Sequence, residues 1–209
     1  MGSGEENGRT LLATAAWENG AWRLSVWEPH DLSEPIQTIT AEGSVVERVS
    51  TVGDFNFDGD TDFGYAVFLG AHNNVRYTFW LWDEEQGQFV ESPECSALCN
   101  PQFDVATETV SSYIHRDAGA FTKEFYHWQD GALAAVRQID VGGQMVETGD
   151  GPQLAPALPE ATGPVTQTLV VTDWVNGEPQ EVYRRVFETG SDAVFEEAER
   201  WYDLNYHGE

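Results

Sequence analysis

The chain has 209 residues, 41% of them hydrophobic and 12% aromatic, enough to bury a core and too apolar for a disordered acidic tail. Lys+Arg total 10 against 36 Asp+Glu, a formal charge of −26, and the single lysine is Lys123. A field of that sign repels phosphate backbones and anionic headgroups, excluding nucleic acid and membrane surfaces as partners while attracting basic proteins and divalent cations.

Residues 1–8, "MGSGEENG", carry neither a basic nor an apolar signal region; they read as an expression remnant or a disordered N-terminus, with any signal peptide already removed. No apolar run approaches membrane-spanning length. Residues 9–209 read as one all-β domain. "RTLLATAAWENGAWRLSVWEP" holds Asn19-Gly20, the strongest two-residue hairpin signal. With that turn Trp17 faces Trp22, Ala15 faces Leu24 and Ala13 faces Val26, an apolar set on one side of the hairpin.

"GDFNFDGDTDFGY" follows. Asp54, Asn56, Asp58, Asp60 and Asp62 occupy positions 1, 3, 5, 7 and 9 of a D-x-N-x-D-G-x-x-D loop, with Gly59 at position 6 for the sharp turn. Calcium takes roughly six to eight oxygens at about 2.3–2.6 Å, and alternate residues of a wound loop supply them together. Asp60 is assigned its main-chain carbonyl, and Phe55, Phe57 and Phe63 are expected to anchor the loop. Position 12 is Tyr65, where an EF-hand needs Glu, and a strand pattern follows. The loop resembles instead the strand–loop–strand calcium loops of FG-GAP repeats, and the expected cofactor is a structural calcium ion.

Further along, "VRYTFWLWDEEQGQFVES" reads as a hairpin whose loop ends at Gly87, and "FTKEFYHWQDGALAAVRQID" turns at Asp130-Gly131. Cys95 and Cys99 in "CSALC" suit either a small disulfide or a reduced buried pair. The Pro/Gly/Ala-rich stretch 149–164 reads as a loop. "DAVFEEAERWYDL" would also suit a helix face through Val194, Ala198 and Trp201, but its strand-rich surroundings favour a final strand. Many strands divided by turns predict an all-β fold, a small propeller-like or barrel-like assembly of antiparallel strands with the calcium loop. No nucleophile elbow, zinc-protease motif, phosphate loop or dinucleotide fingerprint occurs, and the chain reads as a non-enzyme.

From the acidic loop through "YTFWLWDEEQGQFV" and "LCNPQFDVATETVSS" to "EFYHWQDGAL", roughly residues 45–140, the sequence resembles a bacterial periplasmic family. Its representatives are the Xanthomonas immunity proteins that inhibit lysozyme-like effectors of type IV secretion. The resemblance implies a periplasmic or otherwise extracytoplasmic inhibitor. Such a protein would bind a basic peptidoglycan hydrolase and insert a glycine-bearing loop into its cleft. The matching stretch is Ser111 to Phe125, where Asp117 replaces a family glycine, Gly119 is kept and Phe121 lies near the aromatic position. The implied contacts are Tyr113, His115, Arg116, Asp117, Gly119 and Phe121: His115 and Arg116 would pair with a catalytic acid, Tyr113 and Phe121 would stack on sugar-binding walls. The alternative is a non-inhibitory, calcium-stabilised module for cell-wall glycan or another protein.

Overall fold

The computed structural model describes residues 12–19, 21–28, 30–42, 50–117, 119–148, 151–154, 165–188 and 192–208. Residues 1–8, 149–150 and 155–164 therefore lie outside the described residues; within the stretch 149–164 read as a loop, Gly151–Leu154 is instead a strand paired antiparallel with Met145–Thr148. The chain, read above as one domain, divides into two compact units. The first comprises residues 1–71, 75–99 and 103–108; the second takes in 72–74, 100–102 and 109–209. The all-β expectation holds: the strands form three antiparallel sheets. The sheets have three, eight and four strands, and among the described residues none closes into a barrel.

In the first unit, β1 (Leu12–Glu18), β2 (Ala21–Trp27) and β3 (Gln37–Glu42) form one sheet in chain order. The hairpin register is the one expected, Trp17 opposite Trp22, Ala15 opposite Leu24 and Ala13 opposite Val26. Asn19 takes φ 53, the left-handed backbone that a two-residue hairpin turn requires. Val26 is fully buried and Leu24 packs beside it.

The second sheet is β4 (Ser50–Gly53), β5 (Asp62–Leu69), β6 (Val75–Asp83) and β7 (Gln88–Ser92), again in chain order. Val26, Ile39, Trp82 and Phe89 make the buried cluster shared by the two sheets. Gln37 stitches them polar-to-polar: its Nε2 donates to the Phe89 carbonyl at 2.7 Å and its Oε1 accepts from the Phe89 N–H at 2.7 Å. One side-chain amide thus does the work of a neighbouring strand. The short helix α1 (Pro93–Ser96) starts under a Ser92 cap, whose hydroxyl accepts from the Cys95 N–H at 3.2 Å.

The strand β8 (Gln102–Asp104) follows. The second unit is built on β9 (Thr109–Asp117), β10 (Ala120–Gln129), β11 (Ala132–Val141), β12 (Met145–Thr148), β13 (Gly151–Leu154), β14 (Val165–Val175) and β15 (Glu178–Glu188). β11 and β12 lie end to end along one edge of β14, and β15 takes the other edge. The turn at Asp130 (φ 51) and Gly131 (φ 80) is as expected. β15 is an edge strand, and it carries Pro179, a register shift and the charges of Arg184 and Arg185, features that discourage a further strand from adding there.

The final strand expected after residue 191 is instead a helix, α2 (Ala193–Arg200). Val194 and Ala198 are buried at 1% and 0% exposure, one turn apart, and Trp201 continues the same stripe at 1%. That spacing is the helical period, which outweighs the strand-rich surroundings. α2 and the segment after it cover the face of the sheet that carries Phe121, Phe125, Ile139, Val141, Leu169 and Val171. Arg137, 2% exposed, fastens the covering: Nε and Nη2 donate to the two Asp173 oxygens at 2.6 and 2.8 Å. Its Nη1 donates to the carbonyls of Trp201 at 3.2 Å and Asp203 at 2.9 Å.

Candidate functional site

The acidic loop winds as its spacing predicts. The Asp54 carboxylate accepts from the Asp58 N–H at 3.1 Å and the Gly59 N–H at 2.9 Å, closing a turn that Gly59 completes at φ 92. Asp58 accepts from the Asp60 N–H at 2.8 Å and from Asn56 Nδ2 at 2.6 Å. Asp62 opens β5 with only 1% exposure; its oxygens accept from the Phe55 N–H at 2.8 Å and the Trp82 N–H at 2.9 Å, tying the loop to β6. Burial raises its carboxyl to about 7 against the two amide donors, and the charges of Asp58 and Asp54 push the same way. The phenyl ring of Phe55 is 4% exposed and packs on Phe79 and Phe103, with centroids 4.9 and 4.5 Å away. Phe63 joins the shared core, whereas Phe57 is half-buried and adopts φ 63.

The loop was tested for its fit to a hard cation on two observations. Asn56 Oδ1 is buried with no hydrogen-bond partner, an oxygen in want of a positive neighbour. Three carboxylates of one loop lie close enough to act on each other's charge. These features and the oxygen-only donor set fit calcium. Among the described residues, however, no three Asp, Glu, His or Cys side chains already converge as a ligand cluster, because the carboxylates are turned onto backbone amides.

The residues expected to meet a partner lie on the hairpin of β9 and β10, and the structure divides them. The register shifts between Ala120, opposite Asp117, and Phe121, opposite His115, which leaves Arg116 as the extra residue of a bulge. That shift turns Phe121 inward: it is 3% exposed and stacks on Tyr113 at 5.0 Å and Phe195 at 6.3 Å. Phe121 is therefore core, and its expected role as a stacking contact is corrected. Tyr113 is half-buried in the same stack, and burial raises its phenol above the ordinary range.

His115, Arg116 and Gly119 remain toward the tip. His115 is exposed, with a backbone held by Asn74. Arg116 keeps 46% of its side chain exposed, while Nη2 donates to Asp140 at 2.7 Å and to the Phe121 and Val141 carbonyls at 3.0 and 3.1 Å. Asp140 also accepts from the Thr122 hydroxyl at 2.7 Å and from Gln138. Gly119 takes φ 85, and its carbonyl accepts from Gln167 Nε2 at 3.0 Å. The backbone of Asp117 pairs with Ala120; its side chain lies outside the described residues.

Asn74, Asp140 and Gln167 carried no local signal, since each reaches its partner from 24 to 48 residues away. Cys95 and Cys99 are buried with no disulfide between them, and burial pushes the Cys95 thiol up to about 12, away from the thiolate. No helix among the described residues is long and apolar enough to cross a membrane.

Fold and loops together define an all-β protein of antiparallel sheets carrying an acidic turn and a braced hairpin. A solved structure with the same fold is a type IV secretion system related protein from Xanthomonas. The match covers 86% of this chain and 96% of that one, with a TM-score of 0.51 at 12% identity, and the likeness is one of fold. No protein-family model and no curated protein matches the sequence.

Proposed function

We propose that this chain is an extracytoplasmic inhibitor or immunity protein. It blocks a lysozyme-like peptidoglycan hydrolase by presenting the β9–β10 hairpin to the active cleft, with a structural calcium ion in the acidic loop. The observation that carries the reading is the fold shared, over nearly its whole length, with a protein tied to type IV secretion. Two features support it. Hydrolases that work on an anionic wall are commonly basic, and a −26 surface steers such a partner onto itself. The tip also offers the Arg116 side chain, 46% exposed, whose guanidinium, held by Asp140, could turn to a catalytic carboxylate. The contact set is narrowed to His115, Arg116, Asp117 and Gly119.

Calcium would be held by Asp54, Asn56, Asp58 and Asp62 side chains and the Asp60 carbonyl. It would neutralise the crowded carboxylates and give Asn56 Oδ1 its missing partner.

Lysis of cell walls by egg-white lysozyme, a basic muramidase, tests the reading. The wild type should slow lysis, and Arg116→Ala should weaken inhibition by tenfold or more, as expected for a charge-assisted interfacial bond of about 2 kcal/mol. The burial of Phe121 favours the second reading, a calcium-stabilised module for cell-wall glycan or another protein, because it removes an aromatic face from the hairpin. Retention of muropeptides with no effect on lysis would support that reading and overturn the first.

A further inference from the structure

The β9–β10 hairpin is held on both sides by side-chain amides. The Asn74 amide donates through Nδ2 to the His115 carbonyl at 2.6 Å and accepts through Oδ1 from the His115 N–H at 2.9 Å. These are the two bonds that a neighbouring strand would make, supplied here by one side chain. Asn100 extends the same edge: its Nδ2 donates to the Tyr113 carbonyl at 3.0 Å and to Asn74 Oδ1 at 3.3 Å. On the other side, Gln167 is 4% exposed and donates to the carbonyls of Gly119 at 3.0 Å and Gly142 at 3.3 Å. A Cβ on Gly119 would come within 3.2 Å of that same Nε2, so the tip lies close over the amide.

The two asparagines are presented by strained backbone. His72 and Asn73 both take φ 60 immediately before Asn74, and Asn100 itself takes φ 44. Left-handed backbone at non-glycine residues is locally unfavourable and persists only where the surroundings over-determine it. Here three such residues fall in the two short pieces, 72–74 and 100–102, that belong to the second unit although stretches of the first unit separate them from it in sequence. Both pieces end their reach on β9.

We propose that Asn74, Asn100 and Gln167 are positioning residues that set the β9–β10 hairpin in its binding shape before a partner arrives. The proposal rests on the reading of that hairpin as the contact element. A hairpin already in one shape loses less freedom on docking, and the fraction of molecules competent to bind scales the apparent affinity directly. The bracing also explains how Arg116 stays half-exposed at a bulge without the tip collapsing, since the residues on either side of it are fixed independently, His115 by Asn74 and Gly119 by Gln167.

Amide hydrogen exchange on the free, full-length protein tests the bracing without any partner. Asn74→Ala and Gln167→Leu should speed exchange across 113–121 by about tenfold or more, while Ile139, Leu169 and Val171 stay protected as in the wild type. Asn74→Asp, which keeps the acceptor for the His115 N–H and loses the donor, should fall between wild type and alanine. Unchanged exchange at the tip in both variants would overturn the proposal, as would uniform loosening of the whole sheet, the outcome of a merely structural role. The second arm is binding to egg-white lysozyme. Variants with loosened tips should bind about tenfold more weakly, and undiminished binding by a loosened tip would overturn the positioning role. A loosened tip together with no binding by the wild type would uphold the bracing and overturn the inhibitor reading instead.

Discussion

Replacing Asp62 by asparagine separates the proton, the metal and the backbone contacts of the acidic loop. The carboxyl titrates at about 7 in the folded protein against an ordinary 3.8. Burial is the main cause: the site prefers the neutral acid even though the Phe55 and Trp82 amides favour the anion. Between these two values the folded state binds more protons than the unfolded one, so stability falls as pH rises. It is fully present below the unfolded value and lost on passing through the folded one. A gap of this size corresponds to about 4 kcal/mol at the alkaline end. Asparagine carries no charge but keeps a single acceptor, so one of the two amide N–H groups loses its partner, at a cost of about 1–3 kcal/mol at every pH.

In excess chelator, therefore, Asp62→Asn should lie below the wild type near pH 4 and gain on it by up to about 4 kcal/mol between pH 4 and pH 8. Saturating calcium should offset most of that gain at pH 8. Binding at a hundredfold excess over Kd adds about 2.7 kcal/mol to a wild type that binds, and little to a variant that has lost a ligand. Because the metal needs the deprotonated carboxylate, calcium affinity should rise through pH 5–7 with proton release. Urea unfolding at three pH values, followed by tryptophan fluorescence with and without calcium, reads all of this. Parallel pH profiles for the two chelated proteins would refute the buried-acid argument. Equal calcium stabilisation of both would remove Asp62 from the ligand set.

Arg137→Met should cost about 3–5 kcal/mol, because it strands the half-covered Asp173 carboxylate and frees two carbonyls of the C-terminal segment; adding Asp173→Leu should recover part of the loss, and thermal melts of the two variants check both. Gly64→Ala should destabilise by about 1–3 kcal/mol, since its Cβ would stand 2.7 and 2.8 Å from Phe79 ring atoms, and Phe79→Leu in the same chain should relieve much of it, measured by chemical denaturation.

What the sequence made legible follows the reach of each contact. The register of β1 and β2 was readable because a two-residue turn and a period of two settle it within fifteen residues. The winding of the acidic loop was readable for the same reason: Asp54 closes onto Asp58 and Gly59, four and five residues away. The opposite side of that loop was not, because Asp62 meets Trp82 across 20 residues and takes its raised proton affinity from burial, which no spacing encodes. α2 was misread through the weight given to its neighbours. Secondary structure answers to its own period, and Val194, Ala198 and Trp201 carried the helical one throughout.

The hairpin shows a deeper reason for the unread remainder. Pattern reading assumes that a strand's edge is completed by another strand, whose own alternation can be seen. In this chain Gln37 completes Phe89 across 52 residues and Asn74 completes His115 across 41, each with both atoms of one amide. Such an amide sits in a turn or at a strand end, polar among polar residues, and looks like ordinary loop chemistry. It also completes a strand at a single point, which fixes position there without extending the sheet. The same economy explains why Phe121 could be mistaken for a contact: the bulge at Arg116, whose guanidinium reaches Asp140 and two carbonyls, is what turns the ring inward. Charge presentation and core packing are two consequences of one inserted residue, and a motif alignment that keeps the aromatic while ignoring the insertion assigns it to the wrong side of the sheet.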